Sequence, residues 1–446
     1  MKKIILFFLI FLLFTNKSFS YELVLPKEKK SYVSSNYAFF VGKARNTEII
    51  SINDERITVA SNGAFAHSVK LRNGENRIVV RSNYSTQIYR FYKTEKTNNP
   101  LKNKFFEFDN LDKVVVKNDN VPLRNTPVNA GMNRISHLFK DTELIIDGEQ
   151  GEFFRVFLSK DKKVWVAKKD VIRQENSFFI PAEFLSMDGK NYKNATSKTI
   201  EFSKNIPYII EDLEDEILFK IYNPELSEQS VYTINIPKTG KYYYQTTLDN
   251  GKYTFKVNDL PKDLNDIVVT VDPGHGGNER GAIGCLGDEE KNINLKIALE
   301  LKDILQAMGI KVFLTRECDG NISLNERIEL AKKNNSNLFI SIHLNSIGDV
   351  PMNLNRHKGT SVFYFNKNSK NFAEILERKI VESAKTRKDG VHEASFAVIR
   401  PTEYIGVLVE AAYMTNPFDT ILYKNENFAY KVAKGIADGV IEFLEE

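Results

Sequence analysis

Apolar residues follow two rhythms along this chain, and the change falls near residue 265. Before it, short runs of β-branched and aromatic residues alternate with turn signals. Ala38-Phe39-Phe40-Val41, Glu48-Ile49-Ile50-Ser51-Ile52 and Arg77-Ile78-Val79-Val80 read as strands. Asn62-Gly63 and Asn73-Gly74 read as hairpin turns, because both residue types tolerate positive φ. Strands at this spacing predict a small β-sandwich over residues 21–97, with Asn98-Asn99-Pro100 as a linker. Residues 110–175 are again all-β in pattern, through Val114-Val115-Val116, Val121-Pro122-Leu123-Arg124, Glu143-Leu144-Ile145-Ile146, Phe153-Phe154-Arg155-Val156 and Val164-Trp165-Val166. Trp165, the single tryptophan, is expected in that core. In residues 176–262, Thr246 to Phe255 predicts two strands around Asn250-Gly251, and Tyr242-Tyr243-Tyr244 is expected to serve packing.

Beyond residue 265 helical spacing appears. Ile293, Ile297, Leu301, Ile304, Leu305 and Met308 predict a helix ending before Gly309. Ser323-Leu324-Asn325-Glu326 is a capping box opening a second helix with Ile328 and Ala331. Phe372, Ile375 and Ile380 mark a third, and Phe428, Val432, Ile436, Val440 and Ile441 a fourth. Between them lie apolar strands at Ile267–Val271, Lys311–Leu314, Leu338–Ile342, Ser361–Tyr364 and Gly406–Val409. Alternating strands and helices predict an α/β domain over residues 265–446, with a mainly parallel twisted sheet flanked by helices. The expected fold is therefore multidomain, with all-β modules followed by an α/β domain.

Composition narrows the function classes. The 446 residues carry 62 basic and 58 acidic side chains, a formal charge of +4 that gives no sign of a nucleic-acid partner. Two cysteines, Cys285 and Cys318, exclude a disulfide scaffold and a four-thiolate zinc site. Lys2 and Lys3, the apolar run Ile4 to Phe14 and the small residues Ser18 and Ser20 read as a signal peptide over residues 1–20. The protein is accordingly expected to be exported to the periplasm or cell envelope, with no stable membrane insertion after signal removal.

Candidate chemistry gathers where an open α/β sheet puts its crevice, beyond the carboxyl ends of the strands. His275 follows the first strand in Asp272-Pro273-Gly274-His275-Gly276-Gly277. Glu290 opens the first helix, while His343 and Glu410 end apolar strands. A glycine-rich loop is most often a tight turn, and Gly-His-Gly-Gly lacks both the dinucleotide spacing and the P-loop lysine. A lone strand-end histidine is commonly a satisfied polar residue. A carboxylate after an apolar strand is harder to place, since an unpaired buried charge is costly. Two histidines and one glutamate make a three-ligand zinc site open to water, which leaves a second glutamate as general base.

The matching stretches are VTVDPGHGGNERGAIG, EKNINLKIALELKDIL, FLTRECDGNISLNERIELAKKNNSNLFISIHLNS, KGTSVFYF and VLVEAAYMTNP. On these, residues 266–446 resemble the catalytic domain of the zinc-dependent N-acetylmuramoyl-L-alanine amidases, the amidase 3 family. The resemblance implies that His275, Glu290 and His343 bind Zn2+ and that Glu410 is the catalytic glutamate. It chooses Glu290 over its neighbour Glu289 because the family's ligand directly precedes the position of Lys291. It implies peptidoglycan as substrate, cut between N-acetylmuramic acid and the L-alanine of the stem peptide. Some family members insert a blocking helix after the strand matching GTSVFYF. Here only Asn366 to about Glu393 intervenes, so that form of autoinhibition is not expected, and an activator protein is left unassigned. Residues 21–97 resemble bacterial immunoglobulin-like modules. The LRNTP turn and the Trp165-Val166 strand resemble a bacterial SH3-like domain, and the β-modules are expected to hold the enzyme on the wall.

Asn345 and Arg400 are candidate substrate contacts or, equally, supporting or surface residues, and His357 and His392 are not expected to be ligands. Two other classes stand beside this reading. One is a non-catalytic wall-binding protein that retains an amidase fold. The other is a cysteine hydrolase built on Cys285, although neither cysteine has an adjacent His partner in sequence.

Overall fold

The computed structural model describes residues 21–45, 48–94, 104–174, 180–223 and 231–446. The expected leader over residues 1–20 and the Asn98-Asn99-Pro100 linker lie outside the described residues.

Residues 21–94 pair into two sheets. One has three strands, in the order Tyr21–Leu25, Tyr37–Ala44, Ala64–Lys70; the other has five, Lys30–Val33, Thr86–Lys93, Gly74–Arg81, Ile50–Ile52, Glu55–Ile57. Alternation sends Ile78 and Val80 to one face, where they join Phe40, Ile50, Ile52 and Phe65 in a shared core.

Residues 105–174 form one seven-stranded antiparallel sheet, in the order Arg134–Leu138, Val121–Arg124, Lys162–Ala167, Phe153–Ser159, Glu143–Gln150, Phe105–Val116, Val171–Gln174. Its core takes Val164 and Val166, so the same two-residue period turns Trp165 to the other face. There the indole is half-buried and meets Phe105 edge to face, with centroids 6.0 Å apart. The expected core tryptophan is thus a sheet-face residue, because its buried neighbours occupy the inward positions.

Residues 184–259 supply a four-stranded and a three-stranded sheet around one aromatic core, with Phe202, Phe219, Tyr253 and Phe255 fully buried. The expected hairpin forms as Tyr242–Asp249 and Lys252–Asp259, with Asn250 and Gly251 both at positive φ. Tyr242 and Tyr244 are buried, as packing residues should be.

The C-terminal domain is built on strands β1 (Val268–Pro273), β2 (Lys311–Leu314), β3 (Leu338–Asn345), β4 (Thr360–Tyr364), β5 (Lys388–Glu393) and β6 (Ile405–Tyr413). They form one mixed sheet in the order β2-β1-β3-β6-β4-β5. Pairings β1/β2, β1/β3, β3/β6 and β4/β5 are parallel, and β4/β6 is antiparallel. The helices are α1 (Glu290–Ala307), α2 (Leu324–Lys333), α3 (Lys370–Ala384), α4 (Pro417–Tyr423) and α5 (Phe428–Glu445). Helices α1, α3 and α5 cover one face through Ile297, Leu301, Phe372, Ile380, Val432, Ile436 and Val440. On the other face Ala331 of α2 packs with Phe339, Ile399, Tyr404 and Leu408. Gly435 and Gly439 let α5 lie directly against Ile380 and Leu376 of α3. The segment after β4 is therefore a packed structural helix, as its short length predicted.

Two elements escaped the periodicity. Edge strand β5 reads Lys-Asp-Gly-Val-His-Glu, with neither an apolar run nor a buried residue. Helix α4 spans only seven residues, but Asn416 caps it through its side chain and Pro417 opens it, the expected start signal.

The capping box on α2 is complete: Ser323 Oγ accepts from the Glu326 amide at 3.2 Å, and Glu326 Oε2 accepts from the Ser323 amide at 2.7 Å. Ser323→Ala removes one half of it and should cost about 1 kcal/mol, read as a lower denaturation midpoint with the fold retained.

Candidate active site

The site begins with the chain leaving β1. Asp272 is fully buried, and its carboxylate accepts from Thr315 Oγ1 at 2.6 Å, Ser341 Oγ at 2.7 Å and Arg327 Nη1 at 2.5 Å. Arg327, on α2, also donates to the carbonyls of Pro273 at 2.9 Å and His275 at 2.7 Å. Arg316, after β2, donates to Pro273 O at 2.9 Å, Gly274 O at 3.0 Å and Lys291 O at 2.8 Å. Two guanidiniums thus satisfy the carbonyls of a loop that makes no regular ladder. Lys291 adds a third tie, donating to Gly277 O at 2.9 Å and to Asp319 at 2.6 Å.

Within this cradle His275 takes φ 61°, a left-handed conformation that costs roughly 1–3 kcal/mol for a residue with a Cβ. Gly274 is required by close approach, because a Cβ there would lie 2.1 Å from the His343 ring. The strained turn aims the His275 imidazole at Glu290 and His343.

Glu290 is the first residue of α1 and sits at the centre. Its Oε2 lies 3.2 Å from His275 Nε2, and its Oε1 lies 2.9 Å from His343 Nδ1. The amides of Ala282 at 2.8 Å and Leu344 at 3.2 Å, with Asn294 Nδ2 at 3.3 Å, fix the same carboxylate. Burial would raise the Glu290 carboxyl, but the hydrogen bonds and charges of the two histidines reverse this and hold it far below the usual carboxylate range. The imidazole rings meet at 4.8 Å and 80°. One ligand atom from each of His275, Glu290 and His343 lies within 4.8 Å of the others, a spacing one metal ion can bridge.

Glu410 stands beside this group, since it pairs in register with His343 across β3 and β6. Its Oε2 is buried without a hydrogen-bond partner among the described residues. Desolvation, then the negative charge of Glu290, pushes its carboxyl well above the usual range. Glu410 makes no ion pair among the described residues, and a buried carboxylate lacking a counter-ion does not stabilise the fold.

The four residues expected from the sequence therefore meet at one end of the sheet. Asn345 is at the same end, with its side chain turned onto the Ser346 amide at 2.8 Å. Arg400 precedes β6 and lies beyond the far end of that strand from Glu410, so it does not touch this site. His357 and His392 lie outside the cluster, as do buried Cys285 and exposed Cys318. Sequence reasoning passed over Asp272, Asn294, Arg316 and Arg327. The available signal was an aspartate inside an apolar strand, which demands a buried partner.

A two-faced α/β domain with a His–Glu–His cluster at its strand ends, facing a second carboxylate, is a metal-ready hydrolase scaffold. The particular family follows from comparison: residues 269–442 match the family model for N-acetylmuramoyl-L-alanine amidase, and the chain belongs to that family. It is 30% identical over 224 residues to N-acetylmuramoyl-L-alanine amidase AmiA of Escherichia coli, covering 40% of this chain and 76% of that protein. It is 27% identical over 289 residues to the probable cell wall amidase LytH of Staphylococcus saprophyticus, covering 60% of this chain and 92% of that one. An N-acetylmuramoyl-L-alanine amidase structure from Clostridium difficile 630 is 33% identical over 41% of this chain and 98% of its own, with a TM-score of 0.39.

Asp272→Asn leaves the Arg327 guanidinium buried against a neutral amide. It should destabilise by about 3–5 kcal/mol, several times the Ser323→Ala effect, measured by denaturant unfolding.

Proposed function

We propose that the protein is a peptidoglycan hydrolase that cleaves the amide between N-acetylmuramic acid and the L-alanine of the stem peptide, with zinc held by His275, Glu290 and His343. The observation that carries this is the His–Glu–His cluster within 4.8 Å, set beside an unpaired buried Glu410 in an amidase-family domain. The donor set fits zinc: two imidazoles and one carboxylate, with no thiolate, leave a position for water or substrate. Each donor is already oriented by the chain, Glu290 by two amides and Asn294, His343 by its strand, and His275 by the strained loop.

A bound zinc would supply a Lewis acid that acidifies water and polarises the scissile carbonyl. Glu410 accepts the proton of the attacking water and returns it to the departing alanine nitrogen, which leaves as a neutral amine. Burial and the charge of Glu290 push its carboxyl above the usual range, which strengthens the carboxylate as a base for the water proton. Glu290 contributes fixed negative charge and holds both imidazoles in place. The β-rich regions, read as immunoglobulin-like and SH3-like modules, tether the exported enzyme to the wall and raise its local concentration on sacculi. Among the described residues, no helix is long and apolar enough to cross a membrane.

Digested peptidoglycan analysed by mass spectrometry should show stem peptides beginning with free alanine alongside intact glycan. Products cut elsewhere would exclude the amidase assignment. Stripping the metal with a chelator should abolish release, and zinc should restore it; full activity in exhaustively metal-free protein would rule out zinc.

The two glutamates should separate by assay. Glu410→Gln should keep stoichiometric zinc while turnover falls roughly a hundredfold to ten-thousandfold. Glu290→Gln should lose zinc affinity together with activity. Parent-rate cleavage by a folded, zinc-loaded Glu410→Gln protein would remove Glu410 from the mechanism.

A further inference from the structure

A second cluster of charge lies away from the His–Glu–His group. Arg124, at the end of strand Val121–Arg124, is 4% exposed, and no carboxylate lies within ion-pair distance of it among the described residues. Its Nη1 donates to Ala130 O at 2.5 Å and Asn133 Oδ1 at 2.9 Å, and its Nη2 to Asn129 Oδ1 at 3.0 Å. It therefore anchors the loop that follows it. Arg134 is its register partner on the neighbouring strand and is half-buried. The loop between them reaches the C-terminal domain, where a Cβ on Gly131 would lie 2.7 Å from Ser395 Cβ. Arg400 is held at the same place, its Nη1 donating to Ser395 O at 3.3 Å.

Three guanidiniums thus converge without a bonded carboxylate, and the nearest acidic influence on Arg124 and Arg134 is Asp170, beyond ion-pair distance. Nε of Arg124 and Nε of Arg134 are buried with no hydrogen-bond partner. Buried donors without acceptors are rare and call for a ligand or a function. The local field is strongly positive. Burial, then the charges of Arg134, Arg400 and Arg124, depresses the His137 imidazole to about 4. Burial and the same two neighbours lower the Arg400 guanidinium to about 10.

We propose that Arg124, Arg134 and Arg400 form a binding site for an oxyanion, a phosphate or carboxylate group, at the seam between the 105–174 sheet and the C-terminal domain. The planar guanidinium fork matches both groups bidentately, and half-buried Arg134 and Arg400 leave the site open to solvent. Because Arg400 precedes β6 while Glu410 follows within it, the site is separate from the hydrolytic end. It does not depend on the amidase assignment.

The test is calorimetric titration of the full mature chain, stripped of metal so that the His–Glu–His cluster cannot capture the probe. Inorganic phosphate forms one arm and acetate the other. Saturable binding of phosphate identifies a tetrahedral ligand; binding of acetate alone identifies a carboxylate. The double variant Arg134→Gln, Arg400→Gln should weaken the bound probe at least tenfold. Its melting temperature without anion should stay level or rise, because two repelling cations are gone. Unchanged affinity in the double variant, or no saturable binding of either probe by the parent, overturns the proposal.

Discussion

The C-terminal domain depends on one buried ion pair, Asp272 with Arg327, and on what that pair frees the loop from doing. Asp272 sits at 1% exposure in the middle of an apolar sheet, where an unpaired carboxylate would be untenable. Arg327 neutralises it from α2 and spends its other donors on Pro273 and His275 carbonyls. The same contact therefore joins sheet, helix and loop. Because the loop's carbonyls are satisfied from outside, it need not form a regular turn, and His275 can be held at positive φ. The strain at His275 is local; the stability that permits it comes from α2 and from the β1–β3 ladder.

That arrangement explains why two carboxylates a few residues from each other in space behave oppositely. Glu290 receives hydrogen bonds from amides, an amide side chain and both histidines, so its charged form is favoured despite burial. Glu410 receives none at Oε2 and feels Glu290's charge, so its neutral form is favoured. Environments that push two acids apart assign them different work. One is suited to remain a fixed anion and the other to exchange a proton, which is the division the proposed mechanism requires.

Much of this site was legible in the sequence because strand ends are legible. An apolar run followed by His343, or by Glu410, marks both the end of a buried strand and the end of the sheet where ligands bind. The helices declared themselves through three- and four-residue spacing and the Ser323 box. The supporting residues did not, because Arg316 and Arg327 act across sequence separations of about forty to fifty-five residues that no local pattern records. Trp165 illustrates a different failure: its face is set by the parity of its neighbours, and size alone pointed inward. Edge strand β5 lacked an apolar run because it has one strand partner and no fully buried residue, with Val391 half-buried against the core.

Arg400 carries the same lesson to the opposite end of the sheet. It was a candidate substrate contact, yet a nine-residue strand at about 3.3 Å per residue carries the chain across the domain between it and Glu410. Residues near each other in sequence are thereby delivered to opposite ends. Residues 184–259 attach at Arg400's end: the Tyr244 amide donates to Thr402 O at 2.8 Å, and Asn337, just before β3, reaches the Tyr243 hydroxyl at 3.3 Å. Those contacts sit where β3 and β6 begin, whereas His343 and Glu410 sit towards where they finish. Parallel strands thus give the domain two distinct ends, one that gathers the imidazoles with Glu290 and Glu410 and one that carries Arg400 and meets residues 184–259. Substitutions at Thr402 or Asn337 therefore act on the contact with residues 184–259 and lie at the opposite ends of β3 and β6 from His343 and Glu410.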